Sequence, residues 1–294
     1  MADRPIPELE GVEHRFVDAG GLRTHVAEAG EGPPILMLHG WPQNWWMWRD
    51  LIGPLAASGR RVICADLRGY GWTDAPPGGY EPGVFARDVA ALIEAISPDE
   101  PVDLIGHDWG GFTGFLLCLE RPELVRRFLA LNILHPFVRP SLNTFRHSWR
   151  FWYQWPLAAP AFAPRLLGGL AGRIEASLAW VGGPDARWNE RDRAIFTDQF
   201  RDPDRAMGAA LLYRHSLVDI LPGTLRGRYL DRTLETETLL LFGYRDRVQH
   251  PSLIPGFEAN APRMEVELVK ASHFIVDSRP DLVLDRARGL FELS

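Results

Sequence analysis

Cysteine is nearly missing from this chain: its 294 residues hold only Cys64 and Cys118, each inside an apolar run. Both read as buried free thiols, because neither a CxxC pair nor an HExxH helix occurs and the nine histidines are scattered. A disulfide framework and a built-in zinc site are thereby set aside, so the chemistry must come from organic side chains. Excess positive charge is lacking too. Lys and Arg number 32 against 38 Asp and Glu, a formal charge of −6, which offers no general electrostatic footprint for nucleic acid or an anionic membrane and leaves only a local basic patch open. No stretch approaches the ~20 apolar residues of a spanning helix, and Met1 to Phe16 has no apolar leader core. A cytoplasmic protein without a membrane span is the expectation.

What is present is a composition that is 46% hydrophobic, enough for a sizeable core. The first half alternates short β-branched runs with helix-period segments: Pro34–Leu38, Arg61–Ala65, Val84–Ile96, Val102–Ile105, Phe112–Leu119, then Phe128–Leu134. Strands alternating with helices predict an α/β fold with a mostly parallel sheet flanked by helices. From about Phe137 to Leu221 strand runs stop, and apolar positions recur at helical intervals, which predicts an inserted helical cap. Alternation returns with Thr238–Phe242, a proline-started helix near Pro251, the strand Met264–Val269 and a terminal helix from Pro280 to Leu293. Residues 1–136 and 222–294 therefore read as one core domain interrupted by a cap at 137–221.

In open α/β sheets, ligands and reactive groups gather at the C-terminal strand ends. After Val102–Ile105 comes Gly106-His107-Asp108-Trp109-Gly110-Gly111, the G-x-nucleophile-x-G form of a nucleophile elbow. The nucleophile position holds Asp, which is already ionised at neutral pH and can displace a leaving group from sp³ carbon to form an ester. Ordinary serine-esterase chemistry is excluded. The competing reading, an Asp that merely starts a helix, does not account for the glycine frame. The following helix start offers the Trp109 N–H as an oxyanion donor. His39-Gly40-Trp41-Pro42, at the exit of the first run, offers the Trp41 N–H as a second, with His39 structural. Asp246 follows Thr238–Phe242 and His273 follows Met264–Val269, so nucleophile, acid and base stand in the order Asp108, Asp246, His273.

With these motifs the chain resembles the α/β-hydrolase superfamily, in its epoxide hydrolase and haloalkane dehalogenase branch, over roughly residues 13–291. His39-Gly40-Trp41-Pro42, Asp66-Leu67-Arg68-Gly69-Tyr70-Gly71, Gly106–Gly111, Gly243…Asp246 and Ser272-His273-Phe274 carry the resemblance. It implies an α/β-hydrolase fold, a cis proline at Pro42, and an oxyanion hole built partly by Trp41. Members place the triad acid after either of two strands. Leu131-Asn132-Ile133 contains no carboxylate, so the resemblance points to Asp246.

Both branches form an alkyl ester on Asp and hydrolyse it with water activated by His, so the leaving group has to separate them. An opening epoxide develops an alkoxide and is helped by an acidic hydrogen-bond donor, whereas a departing halide needs only weak donors such as an indole N–H. Phe151-Trp152-Tyr153-Gln154 and Leu212-Tyr213-Arg214-His215 look like the two lid-tyrosine motifs of epoxide hydrolases, and a phenol protonated at pH 7 suits a nascent alkoxide. The opposing reading has these tyrosines simply packing the cap. For a dehalogenase, Trp109 would supply one halide donor and one of Trp149, Trp152, Trp155, Trp180 or Trp188 another. Trp109 stands where fluoroacetate dehalogenases have Arg. Trp41, Trp45, Trp46 and Trp48 suggest an apolar aromatic cup beside the oxyanion turn, although tryptophans at this spacing are more often core than ligand contacts, so only Trp41 and Trp109 are assigned to the site, mainly through their backbone N–H groups. The substrate expected is a small, lipophilic epoxide with water, with no cofactor, no metal and no nucleic-acid partner, and with a homodimer left open. A non-catalytic ligand-binding relative of the same fold is the third reading. Asp103, His107, His135 and His215 read as structural or supporting residues.

Overall fold

The computed structural model describes residues 4–152, 154–159, 181 and 188–293. Eight strands form one sheet in the order β1-β2-β4-β3-β5-β6-β7-β8. They are β1 Glu13–Ala19, β2 Leu22–Ala29, β3 Pro34–Leu38, β4 Arg61–Ala65, β5 Val102–His107, β6 Val125–Leu131, β7 Glu237–Gly243 and β8 Met264–Val269. From β4 to β8 all pairings are parallel, while β1 and β2 pair antiparallel with each other and β2 pairs antiparallel with β4. The central strands are buried on both sides, as their unbroken apolar runs require: every residue of β3 and of β5 is buried. β1 and β2 are strands that apolar runs alone do not reveal, because EHRFVDA and LRTHVAEA are rich in charge; β1 is a largely exposed edge of the sheet, while β2 behind it is mostly buried.

Helices α1 (Arg49–Ala56), α2 (Pro82–Ile96), α3 (Trp109–Glu120) and the terminal α10 (Pro280–Phe291) accompany the sheet. In α2, Pro82 takes the first turn, where its missing N–H costs nothing, and Phe85, Val89, Leu92, Ile93 and Ile96 recur at helical spacing and are buried. Among the described residues between β6 and β7 there are only helical elements: α4 Leu142–His147, α5 Gln154–Leu157, α6 Glu190–Thr197, α7 Pro203–His215, a π-helical turn Ser216–Ile220 and α8 Leu221–Leu225. The helix expected near Pro251 is a single 3₁₀ turn, Pro251–Leu253, because Pro255 and Gly256 follow at once. A short α9, Ile275–Ser278, precedes α10.

Cys64 and Cys118 are buried and free. Among the described residues no helix is long and apolar enough to cross a membrane. Asp66, at the exit of β4, anchors the neighbouring loops: it accepts from the backbone N–H of Trp45 at 2.8 Å and of Trp72 at 3.0 Å, and meets His25 Nδ1 at 2.7 Å. Burial works against its charge, yet the His25 contact, the charge of His39 and the Trp45 N–H together hold the carboxyl at about 2. Asp103 and Arg60 form a buried ion pair, so Asp103 is accounted for structurally.

Candidate active site

Asp108 occupies the single-residue turn between β5 and α3 with φ 47° and ψ −120°. A non-glycine residue there is strained by roughly 1–3 kcal/mol, and the surroundings hold it in place. Gly40 and Gly110 explain why the turn tolerates it. A Cβ on Gly40 would collide with Asp108 itself, and one on Gly110 with the Leu38 and His39 carbonyls, so glycine at both lets β3, β5 and α3 converge on one point.

Asp108 is buried, with 7% of its surface exposed. Its Oδ2 accepts the Trp41 N–H at 3.0 Å, and the Trp109 N–H also bonds to the carboxylate. The Trp41–Pro42 peptide is cis. Burial raises the Asp108 pKa above the ordinary carboxylate value, a shift that the His273 charge and the two N–H groups reduce without cancelling. Two backbone donors thus converge on one carboxyl group, and they would equally face an oxyanion formed from it.

His273 stands beyond β8 with its Nδ1 2.8 Å from Asp246 Oδ2 and its Nε2 3.9 Å from Asp108 Oδ1. Asp246 can only accept, so Nδ1 carries the proton and Nε2 is left as the basic nitrogen facing Asp108. Burial alone would lower the His273 pKa, but the Asp246 charge, its hydrogen bond and the Asp108 charge outweigh burial and raise it. Asp246 is likewise buried. His273, the Asn132 amide and the Gln249 N–H bring its pKa below the ordinary value despite burial. Its Oδ1 accepts from the N–H of Val248 at 2.6 Å and of Gln249 at 2.9 Å.

Sequence reasoning passed over two contributors, Asn132 and Gln199, and named a third, His107, as a supporting residue without its contact. Asn132, at φ 44°, donates through Nδ2 to Asp246 Oδ2 at 2.9 Å and accepts the Gly243 N–H through Oδ1 at 3.2 Å. It was set aside for lacking a carboxylate, although an Asn just past a strand can hold the carboxylate of the next. His107, expected only as a supporting residue, places Nε2 2.9 Å from the His273 carbonyl. Burial and the His273 charge push the His107 pKa down to about 3, so its neutral ring donates and fixes the His273 backbone. Gln199, from the polar insertion, reaches the oxyanion turn: Nε2 donates to the Pro42 carbonyl at 2.7 Å and Oε1 accepts from the Gly71 N–H at 2.7 Å.

A cavity of about 130 Å³ opens at Asp108. Trp109, Phe112, Val138, Phe151, Ile220 and Leu225 make its wall largely apolar, while Gln154 and Ser216 contribute a polar spot, with the Ser216 hydroxyl donating to Gln154 at 3.0 Å. Tyr213 is buried on α7, with its ring edge-on to Trp41 at 5.5 Å and to Trp109 at 6.1 Å. It therefore lies against both tryptophans whose N–H groups meet Asp108. Tyr153 lies outside the described residues, as does Trp180.

The aromatic cup is corrected by the packing. Trp45, Trp46 and Trp48 are buried in the core; Trp45 packs on His14, and the Trp46 indole donates to Asp192 at 2.8 Å. Trp149, Trp152 and Trp155 are 62%, 61% and 70% exposed, whereas a halide donor needs a desolvated indole. His39 is structural: its Nε2 accepts the Leu67 N–H at 3.0 Å. His135 accepts from the Phe137 N–H and meets the Ile254 carbonyl, and His215 lies 3.6 Å from Glu81. Among the described residues, no group of three or more His, Cys, Asp or Glu is placed to hold a metal ion.

Comparison with known proteins matches residues 33–280 to the model of the alpha/beta hydrolase fold family. The AB hydrolase superfamily protein YfhM of Bacillus subtilis (strain 168) is 29% identical over 94% of this chain and 96% of its own length. A fluoroacetate dehalogenase of a Burkholderia species is 31% identical over 97% of this chain and 94% of its own. Among solved structures, the epoxide hydrolase VrEH1 of Vigna radiata superposes with a TM-score of 0.80 at 25% identity, covering 98% of this chain and 99% of that one.

Proposed function

Since this chain belongs to the α/β-hydrolase family, with a mostly parallel eight-stranded sheet flanked by helices, we propose that it is an epoxide hydrolase converting a lipophilic epoxide to a vicinal diol. The observation that carries the reading is a carboxylate, Asp108, at the elbow where serine hydrolases place a hydroxyl, with His273 Nε2 3.9 Å from it. Residues 137–221 act as the cap over residues 1–136 and 222–294. Tyr213 and Tyr153 hold the epoxide oxygen while Asp108 attacks a ring carbon. The C–O bond breaks, its electrons go to the ring oxygen, and a tyrosine proton follows them, leaving a hydroxyalkyl ester on Asp108.

His273, oriented by Asp246, then takes a proton from water. The hydroxide adds to the ester carbonyl, the N–H groups of Trp41 and Trp109 hold the oxyanion, and on collapse the ester oxygen from Asp108 leaves with the proton held by His273 to complete the diol, while the proton of the new carboxyl group returns to the tyrosinate. The apolar cavity wall supports a lipophilic substrate, and neither a cofactor nor a metal enters this scheme. Haloalkane dehalogenation uses the same carboxylate, and the dehalogenase relative keeps it as the second reading. Against it stands the exposure of Trp149, Trp152 and Trp155, while the Trp at position 109 in place of Arg speaks only against the fluoroacetate dehalogenases.

Parallel assays of styrene-oxide-type epoxides and 1-haloalkanes, following diol and halide, test the assignment with Tyr153→Phe and Tyr213→Phe beside the wild type. The expected result is diol formation that falls ~10²-fold or more in each variant, the scale of general-acid assistance. Halide release indifferent to both variants moves the assignment to the dehalogenase. Binding without turnover of either class makes the chain a receptor.

A further inference from the structure

Gln199 belongs to the insertion, in the 3₁₀ turn Asp198–Arg201 after α6, yet its side chain is 1% exposed and ends among backbone groups of the core. Nε2 donates to the carbonyls of Pro42 at 2.7 Å and Phe196 at 2.8 Å, and Oε1 accepts the Gly71 N–H at 2.7 Å. These contacts fix which way round the amide sits, since the reverse would set its oxygen against two carbonyl oxygens. One side chain thus joins the insertion, the turn after β3 and the turn after β4.

The Pro42 contact leads to the nucleophile in two steps. The carbonyl of Pro42 and the N–H of Gln43 belong to one peptide plane, and that N–H donates to the Gly40 carbonyl at 2.9 Å. The Gly40 carbonyl shares its own plane with the Trp41 N–H, which donates to Asp108 Oδ2 at 3.0 Å. Each peptide unit is rigid, so holding the first plane holds the second. Each donation also polarises the next group in the chain, which strengthens the terminal N–H as a donor.

We propose that Gln199 is a positioning residue for hydrolysis of the covalent intermediate, aiming the Trp41 N–H at the oxyanion through the peptide planes 42–43 and 40–41. The inference rests on the epoxide-hydrolase reading and extends it, because it makes the insertion a support for one chemical step. The two half-reactions depend on Trp41 differently. In the first, Asp108 spends its negative charge attacking carbon, and an N–H bonded to the carboxylate gives no transition-state advantage. In the second, charge builds on the carboxyl oxygen, and an aligned N–H lowers the barrier. A role confined to stability would affect both steps alike.

Gln199→Met keeps the side-chain length and removes all the amide contacts. Hydrogen–deuterium exchange at the Trp41 amide in the resting protein reads the relay without any reaction, and exchange about tenfold faster than wild type is expected. In single turnover followed by intact mass, Asp108 adduct formation stays within about twofold of wild type while adduct hydrolysis slows about tenfold or more, part of the loss seen when an oxyanion donor is removed outright. Should the methionine variant fail to fold, Gln199→Glu takes its place. Its carboxylate still accepts from Gly71 but cannot donate to Pro42 until protonated, so its hydrolysis rate relative to wild type rises as pH is lowered. Unchanged Trp41 exchange, or equal slowing of both steps, overturns the proposal. A wild type that forms no Asp108 adduct defeats the epoxide-hydrolase reading alone, and Trp41 exchange then still decides the relay.

Discussion

Nε2 of His273 stands 3.9 Å from Oδ1 of Asp108, facing it but too far for a hydrogen bond. The imidazole therefore does not tie up the carboxylate before attack, and its basic nitrogen faces the carbonyl that an ester would present. In the proposed mechanism attack needs Asp108 and the two tyrosines but not His273, whereas release needs His273. In His273→Gln the ester should accumulate to about one equivalent, with hydrolysis slowed on the order of 10³-fold or more. Intact-mass spectrometry after mixing with an epoxide reads this directly. Consumption of substrate with no mass increase would remove His273 from the role of base.

The same triad predicts opposite pH trends for activity and stability. His273 has its pKa raised above the ordinary histidine value of about 6.5. As a base it works only when neutral, so intermediate hydrolysis declines as pH falls through that raised value. Folding stability runs the other way: a raised histidine pKa contributes fully below about 6.5 and is lost as pH rises through the folded-state value. Asp246, lowered, contributes above about 3.9 and loses its contribution as pH falls through its own folded value. Asp246→Asn should therefore destabilise most on the mildly acidic side, near pH 5 to 6 by these reference values, with the gap to wild type narrowing toward alkaline pH. Melting temperatures of the two proteins across pH check it, and a gap that widens with pH contradicts the pairing.

Asp108 illustrates what function costs the fold. Its φ of 47° is unfavourable for a side chain, and burial raises its pKa, so its ionised form is destabilised in the folded protein. Asp108→Gly relieves about 1–3 kcal/mol of backbone strain and removes the buried charge, against about 0.5–1 kcal/mol of added chain entropy. The expected result is a protein without activity that is more stable by about 1 kcal/mol, or about 2 °C in Tm for a chain of this size. A lower Tm in the glycine variant would mean that the Trp41 and Trp109 hydrogen bonds to the carboxylate outweigh the strain.

The parts of this site that are legible in the sequence are those tied to short, special backbone: the Gly106–Gly111 elbow, the His39–Pro42 turn, and the residues just past β7 and β8. All are strand exits, and the first three have glycine or proline close to a reactive group, so local pattern and tertiary position coincide; His273 past β8 is read from its place in the chain order. β1 and β2 escaped because an antiparallel edge can carry charges on its wet face, which blurs the apolar signal. Gln199 escaped for a different reason. Its partners are backbone carbonyl and N–H groups, which have no residue identity to read, and they lie 157 and 128 positions away in sequence. Trp45, Trp46 and Trp48 show the converse, aromatic residues beside a site that the core claims.

Asn132 carries the last prediction. Its Nδ2 lies 2.9 Å from Asp246 Oδ2, the same oxygen that meets His273 Nδ1 at 2.8 Å. The two side chains, from the exits of β6 and β7, thus converge on one point behind the imidazole, and Asn132 at φ 44° sits in a region that Asn and Asp tolerate better than most residues. Asp246→Asn alone leaves the imidazole without a charged partner, and intermediate hydrolysis should fall about 10²- to 10⁴-fold. Adding Asn132→Asp restores one carboxylate to the pair at unchanged net charge, with the remaining amide able to donate to it. The double variant should regain at least about tenfold over Asp246→Asn, about 1.4 kcal/mol of barrier, which the cycle corrects for the effect of Asn132→Asp alone. Stopped-flow rates of intermediate decay for the four proteins of this cycle measure it. No recovery would show that the carboxylate must issue from β7, because the β6 exit cannot bring an oxygen into line with Nδ1.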